Sequence, residues 1–177
     1  MSAAFALAFG LLSASPAPAL QGSDVGALVR LACVETGMRR EAFEGIGRAR
    51  RWRQARLTSA TSEPGSWSIA FRIEGGLVML GYDPRSGDSD PSVGSVCSVS
   101  VDEASSATEA EIVALAASLG LGDESPFVDQ PPGMAPLRIW SRFGDQTLTY
   151  AAAPDGRAVI SLSRQVVSTL PASPPGN

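Results

Sequence analysis

The chain has 177 residues, 44% of them hydrophobic and 18% charged, and a formal net charge of −4. That length and composition suit one domain with its own core and argue against a disordered chain. It contains no histidine, and all 14 basic side chains are arginine, which excludes histidine-based acid–base catalysis, lysine Schiff bases and histidine-ligated metal centres.

The opening run from Met1 to Leu12 is apolar, too short to span a bilayer, and followed by the small-x-small sequence Ala17-Pro18-Ala19. This pattern predicts a signal peptide over 1–19, a single mature domain over 20–170, and export to the periplasm or beyond. In an oxidising compartment the only two cysteines, Cys33 and Cys97, are expected to form a disulfide. Leu31-Ala32-Cys33 is similar to the end of a lipobox, but Arg30 stands where an aliphatic residue is required, which argues against lipidation.

Val25, Leu28, Val29, Ala32, Cys33 and Thr36 fall on one helical face, with Ser23 or Asp24 as the start signal and Gly37 as the stop. A second helix is predicted from about Arg40 to Arg51, with Ala42, Phe43, Ile46 and Ala49 inward; Gly45 and Gly47 lower its propensity by roughly 1 kcal/mol each. Trp67, Ile69, Phe71 and Ile73 alternate with Ser68, Ala70 and Arg72, the mark of a half-buried strand. Glu74-Gly75-Gly76 reads as a hairpin turn into a strand over Leu77–Tyr82, and a third strand is expected near Ser95–Val101 with Cys97 inward. Ser106 or Thr108, each with a glutamate three residues on, is expected to cap a helix whose buried stripe is Ile112, Leu115, Ala116 and Leu119. Leu137–Phe143, Gln146–Ala152 and Arg157–Ser163 read as three more strands, and the Pro-rich residues 171–177 as a disordered tail.

The predicted fold is therefore α+β: an antiparallel sheet of about six strands, two to three helices on one face, and two similar helix-plus-meander halves. Cys33, Thr36, Phe43 and Trp52 behind a signal peptide, with the strand motif Val96-Cys97-Ser98-Val99, resemble small exported bacterial proteins and lipoproteins of uncharacterised function. The resemblance implies export and a paired cysteine, and it implies no activity.

Charge is uneven. Residues 20–60 carry eight arginines against four acids, and residues 61–177 carry six against fourteen. Arg48, Arg50, Arg51 and Arg53, with Arg56, Trp52 and Trp67 nearby, form the candidate anion-binding segment, since guanidinium groups beside aromatics suit phosphate or carboxylate partners. Other candidates are weaker. Gly87-Asp88-Ser89 is similar to the nucleophile block of one esterase family, which needs a histidine base. The loop Asp83–Asp90 carries three carboxylates without calcium-loop spacing. A two-carboxylate glycosidase could draw on Glu35, Glu41, Glu44, Glu63 and Glu74. Trp140 with Arg138 and Arg142 is expected on the strand face opposite Leu137 and Ile139, where an open surface could stack a ligand.

The expected function is a non-catalytic, envelope-associated binding or accessory module. No cofactor or metal, no nucleic-acid partner and no transmembrane segment in the mature chain are expected; the sequence does not identify the partner, and an anionic envelope component is the candidate. The alternatives are a cell-wall glycan hydrolase using carboxylates and a carrier of a small apolar ligand.

Overall fold

The computed structural model describes residues 25–57, 64–84, 94–125, 137–142 and 146–164. The expected signal segment, the tail from residue 171, the Gly87-Asp88-Ser89 block and most of the Asp83–Asp90 loop lie outside them. The first described element is α1 (Val25–Val29), which widens into a π-helical turn over Arg30–Val34. All six positions assigned to its inner face are buried. The turn closes with Glu35 N–H donating to the Arg30 carbonyl at 2.9 Å, while Thr36 Oγ1 donates to the Ala32 carbonyl at 2.7 Å. Side-chain bonding of this kind competes with the regular ladder.

The second helix, α2, spans Arg40–Ala49, two residues shorter at its C-terminal end than the pattern predicts. Arg51 adopts φ 55° and turns the chain out of the helix. Phe43 is buried, Ala42 and Ile46 are half-buried, and Ala49, expected inward, is exposed. Gly47 takes the inward place because the Phe71 ring lies against it; a Cβ there would sit 2.5 Å from Phe71 Cζ. The glycine that weakens the helix is thus the one that lets it dock.

Among the described residues eight strands form one sheet instead of about six: β1 (Arg53–Ala55), β2 (Trp67–Ile73), β3 (Gly76–Tyr82), β4 (Ser95–Val101), β5 (Glu124–Ser125), β6 (Leu137–Arg142), β7 (Gln146–Ala152) and β8 (Ala158–Arg164). The order is β1-β2-β3-β4-β8-β7-β6-β5, with every pairing antiparallel. The two additional strands are the edges, three and two residues long, too short to show a two-residue period. At the β2–β3 hairpin Gly75 has φ 69°, and a Cβ on Gly76 would lie 2.1 Å from the Ser100 carbonyl oxygen.

The order is symmetric about the β4–β8 pair. Ser98 faces Ser161 there, their hydroxyls 2.8 Å apart. A half-turn about that point carries Val96-Cys97-Ser98-Val99-Ser100 onto Val159-Ile160-Ser161-Leu162-Ser163, and the meander β1–β4 onto β5–β8. Each meander follows its own helical segment.

Between the meanders, α3 (Ser106–Ser118) is capped by Ser105, one residue before the first expected cap. The Ser105 hydroxyl accepts from Thr108 N–H and Thr108 Oγ1 accepts from Ser105 N–H, a reciprocal box built without glutamate. Ile112, Leu115 and Ala116 are buried, Leu119 is half-buried, and Gly120 with φ 65° ends the helix. Glu111, one turn in, accepts from Gly26 N–H at 2.9 Å and so satisfies a free donor at the start of α1.

All three helices pack on one face of the sheet. Phe43 meets Phe71 at 5.6 Å between ring centroids, α1 and the π-helical turn contact β4, and α3 contacts β7. The core between the layers includes Val78, Leu80, Val99, Ile112, Leu148, Ile160 and Leu162, all buried. Cys33 and Cys97 are bonded at its centre, Cα atoms 5.5 Å apart, and join the π-helical turn to the middle of β4.

Candidate anion-binding surface

The arginine segment falls where the chain leaves α2 and becomes the edge strand. Arg48, Arg50, Arg51, Arg53 and Arg56 are all exposed. Arg48 lies 3.5 Å from Glu44, but Glu44 also meets Arg40 at 3.1 Å, so one carboxylate serves two guanidinium groups. Among the described residues, Arg50, Arg51, Arg53 and Arg56 have no ion pair.

The pairing of β1 with β2 brings Arg72 directly opposite Arg53. Arg72 is exposed and likewise without an ion pair among the described residues. Like charges directly opposed on neighbouring strands repel, and here no described acid intervenes. Sequence spacing gives no hint of Arg72, 16 residues beyond Arg56; only the strand register brings it in.

The two tryptophans expected beside these arginines go elsewhere. Trp52 packs on Phe71 with centroids 6.2 Å apart and anchors the start of β1 to the core. Trp67 stacks on Tyr82 at 5.8 Å, and the guanidinium above it is that of Arg40, at 5.4 Å. The site is therefore a basic ridge without an aromatic floor.

Trp140 corrects a second expectation. It is 4% exposed and faces the helices; Leu137 and Ile139, expected inward, lie half-buried on the opposite face. The reversal follows from charge. Arg138, stacked 5.1 Å from the Trp140 ring, donates through Nε to Glu124 at 2.7 Å and through Nη1 to Glu109 of α3. With both carboxylates at hand, the arginine lies along the inner rim while the indole fills the core. Its hydrogen bond with Arg138 holds the Glu124 carboxyl below the usual carboxylate range, and desolvation, followed by the nearby Glu109 charge, pushes the Tyr150 hydroxyl up.

A depressed carboxyl binds fewer protons in the folded than in the unfolded protein. The Arg138–Glu124 bond therefore stabilises the fold fully above the ordinary glutamate range, and that contribution is lost as pH falls through the depressed value. Arg138→Gln is expected to lower Tm modestly at pH 7 and progressively less in melts at more acid pH. A gap that widened on acidification would contradict this assignment.

At the ends of β2, β3 and β4 there is an open cleft of about 320 Å3, lined by Ser66, Trp67, Ser68, Gly81, Tyr82, Asp83, Gly94 and Val96. It holds one carboxylate, Asp83. Of the glutamates considered for hydrolysis, Glu44 is paired with arginine, Glu35, Glu41 and Glu74 are exposed, and Glu63 lies outside the described residues. Among the described residues no three His, Cys, Asp or Glu side chains are grouped to hold a metal ion, and no helix is long and apolar enough to cross a membrane.

No protein-family model matches the chain, and comparison with curated proteins and with solved structures finds no match either.

Proposed function

We propose that the protein is an exported, non-catalytic module that binds an anionic component of the cell envelope through Arg50, Arg51, Arg53, Arg56 and Arg72. The observation that carries this reading is the Arg53–Arg72 opposition: two exposed guanidinium groups on adjacent strands, with no acid among the described residues to relieve them. A bound phosphate or carboxylate lying between them turns that repulsion into attraction, and guanidinium donors can grip such oxyanions in pairs. The buried Cys33–Cys97 bond supports a destination outside the reducing cytosol. The resemblance to small exported proteins points the same way. A cleft with a single carboxylate gives no support to a two-carboxylate hydrolase. It opens at strand ends and not between sheet and helices, so it gives none to an apolar-ligand carrier.

Binding to vesicles carrying anionic phospholipid tests the proposal. Each arginine near such a surface contributes about 1 kcal/mol, so replacing Arg50, Arg51, Arg53 and Arg72 together by serine is expected to weaken binding by two or more orders of magnitude, with a Tm no lower than wild type because the Arg53–Arg72 repulsion is removed as well. Wild-type binding should fall with added salt. Arg53→Glu sharpens the test. By exchanging a repulsive cross-strand pair for an attractive one it should raise stability by roughly 0.5 kcal/mol while impairing binding. Undiminished vesicle binding by either variant would reject the proposal.

A further inference from the structure

Two helices of this chain end on the same hydrogen-bond pattern and differ in one residue type. At the end of α3, Gly120 N–H donates to the Ala117 carbonyl at 3.0 Å and Leu121 N–H to the Ala116 carbonyl at 3.1 Å, with Gly120 at φ 65°. At the end of α2, Arg51 N–H donates to the Arg48 carbonyl at 3.1 Å and Trp52 N–H to the Gly47 carbonyl at 2.9 Å, with Arg51 at φ 55°. Both are Schellman endings, whose left-handed residue is usually glycine because a Cβ there crowds the backbone. Among the described residues the only other side chain at positive φ is Met38, which is 1% exposed and fills the core. Arg51 gains no such packing. It is exposed, and its guanidinium makes no hydrogen bond or ion pair among the described residues.

We propose that Arg51 is the specificity-determining residue of the basic ridge, held at a glycine position because its guanidinium anchors a bound phosphate group; this rests on the anion-binding reading above. Charge alone does not account for the placement. Arg50 stands in right-handed and Arg53 in extended backbone, where a long side chain is unstrained. A glycine at position 51 and one more arginine on such backbone would give the ridge the same charge without the cost. The helix end accounts for little of it: a cation near the C-terminus of α2 is favourable, but Arg48 and Arg50 already supply that charge. What position 51 offers is direction. The two N–H bonds and the Trp52 ring, packed on Phe71, fix the backbone from which the side chain leaves, two residues before Arg53. A guanidinium on a fixed stem loses less freedom when its fork grips an oxyanion. Strain kept at an exposed residue marks a functional position.

Melts and binding measurements on the full chain test this together. Arg51→Gly is expected to raise Tm by about 2 °C or more, while weakening binding to phosphatidylglycerol vesicles by about tenfold or more. Arg50→Gln removes the same charge from ordinary backbone, so it should weaken binding by about fivefold, the share of one cation near the surface, with no rise in Tm. Arg51→Ala, which keeps the Cβ and loses the guanidinium, should bind as poorly as Arg51→Gly without the gain in Tm. Inorganic phosphate, set against chloride at equal ionic strength, separates two sources of the ligand. Protection of the wild type but not of Arg51→Gly assigns the site to the free ion, and binding to vesicles alone assigns it to a lipid headgroup. Equal losses for Arg51→Gly and Arg50→Gln would leave Arg51 one charge among several, and a lowered Tm for Arg51→Gly would make it a structural cap. Either result overturns the proposal and leaves the ridge standing. A wild type that ignores both vesicles and inorganic phosphate rejects the ridge itself.

Discussion

Replacing Cys33 and Cys97 together by alanine will lower the unfolding free energy by roughly 4 kcal/mol, the chain-entropy value for a crosslink closing a loop of this length. The two residues are 64 apart in sequence, so opening the bond returns a large loop to the unfolded ensemble. The folded side adds to the loss: both sulfurs lie at the helix–sheet boundary, with the cysteines 1% and 0% exposed, and alanine leaves their volume empty. Because α1 is only five residues long and continues into the π-helical turn, little intrinsic helix stability holds this layer in place. Urea melts of wild type with and without reductant, beside the double alanine variant, measure the effect. Equal midpoints for oxidised and reduced protein would mean that packing alone docks the helices.

The disulfide was legible because two independent patterns agreed. A helical period placed Cys33 inward, a strand period placed Cys97 inward, and helix-on-sheet packing opposes the two faces. Where one signal stood alone, or two conflicted, the reading failed. The edge strands β1 and β5 are too short for any period, so the sheet was undercounted. In β6 the apolar residues Leu137 and Ile139 outvoted Trp140, whereas the fold follows Arg138 to its partners Glu109 and Glu124. The inversion matters, because it places Leu137 and Ile139 on the outer face among its serines and threonines. One signal was present and unused: Val96-x-Ser98-x-Ser100 recurs as Val159-x-Ser161-x-Ser163, marking the two central strands. Arg72 carried no local signal, because its membership of the basic ridge depends wholly on register.

Phe71→Ala should be among the most damaging single substitutions, costing roughly 3–5 kcal/mol. Its ring joins three elements: it packs on Phe43 of α2, on Trp52 ahead of β1, and against the bare Cα of Gly47. Removing it empties the seat of α2 and frees Trp52, the anchor that positions Arg53 opposite Arg72. Gly47→Ala approaches the same joint from the other side. On helix propensity alone it would gain about 1 kcal/mol, but the added Cβ falls within 3 Å of three ring atoms, and overpacking reverses the sign to a loss of about 1–3 kcal/mol. The two changes act on one space, so Gly47→Ala in a Phe71→Leu background should cost less than in the wild type, a coupling that a double-mutant cycle resolves. Additive losses would show that Gly47 is not held small by the ring. If Phe71→Leu also weakens vesicle binding while every arginine is retained, the ridge owes its affinity to the placement of its charges as well as to their number.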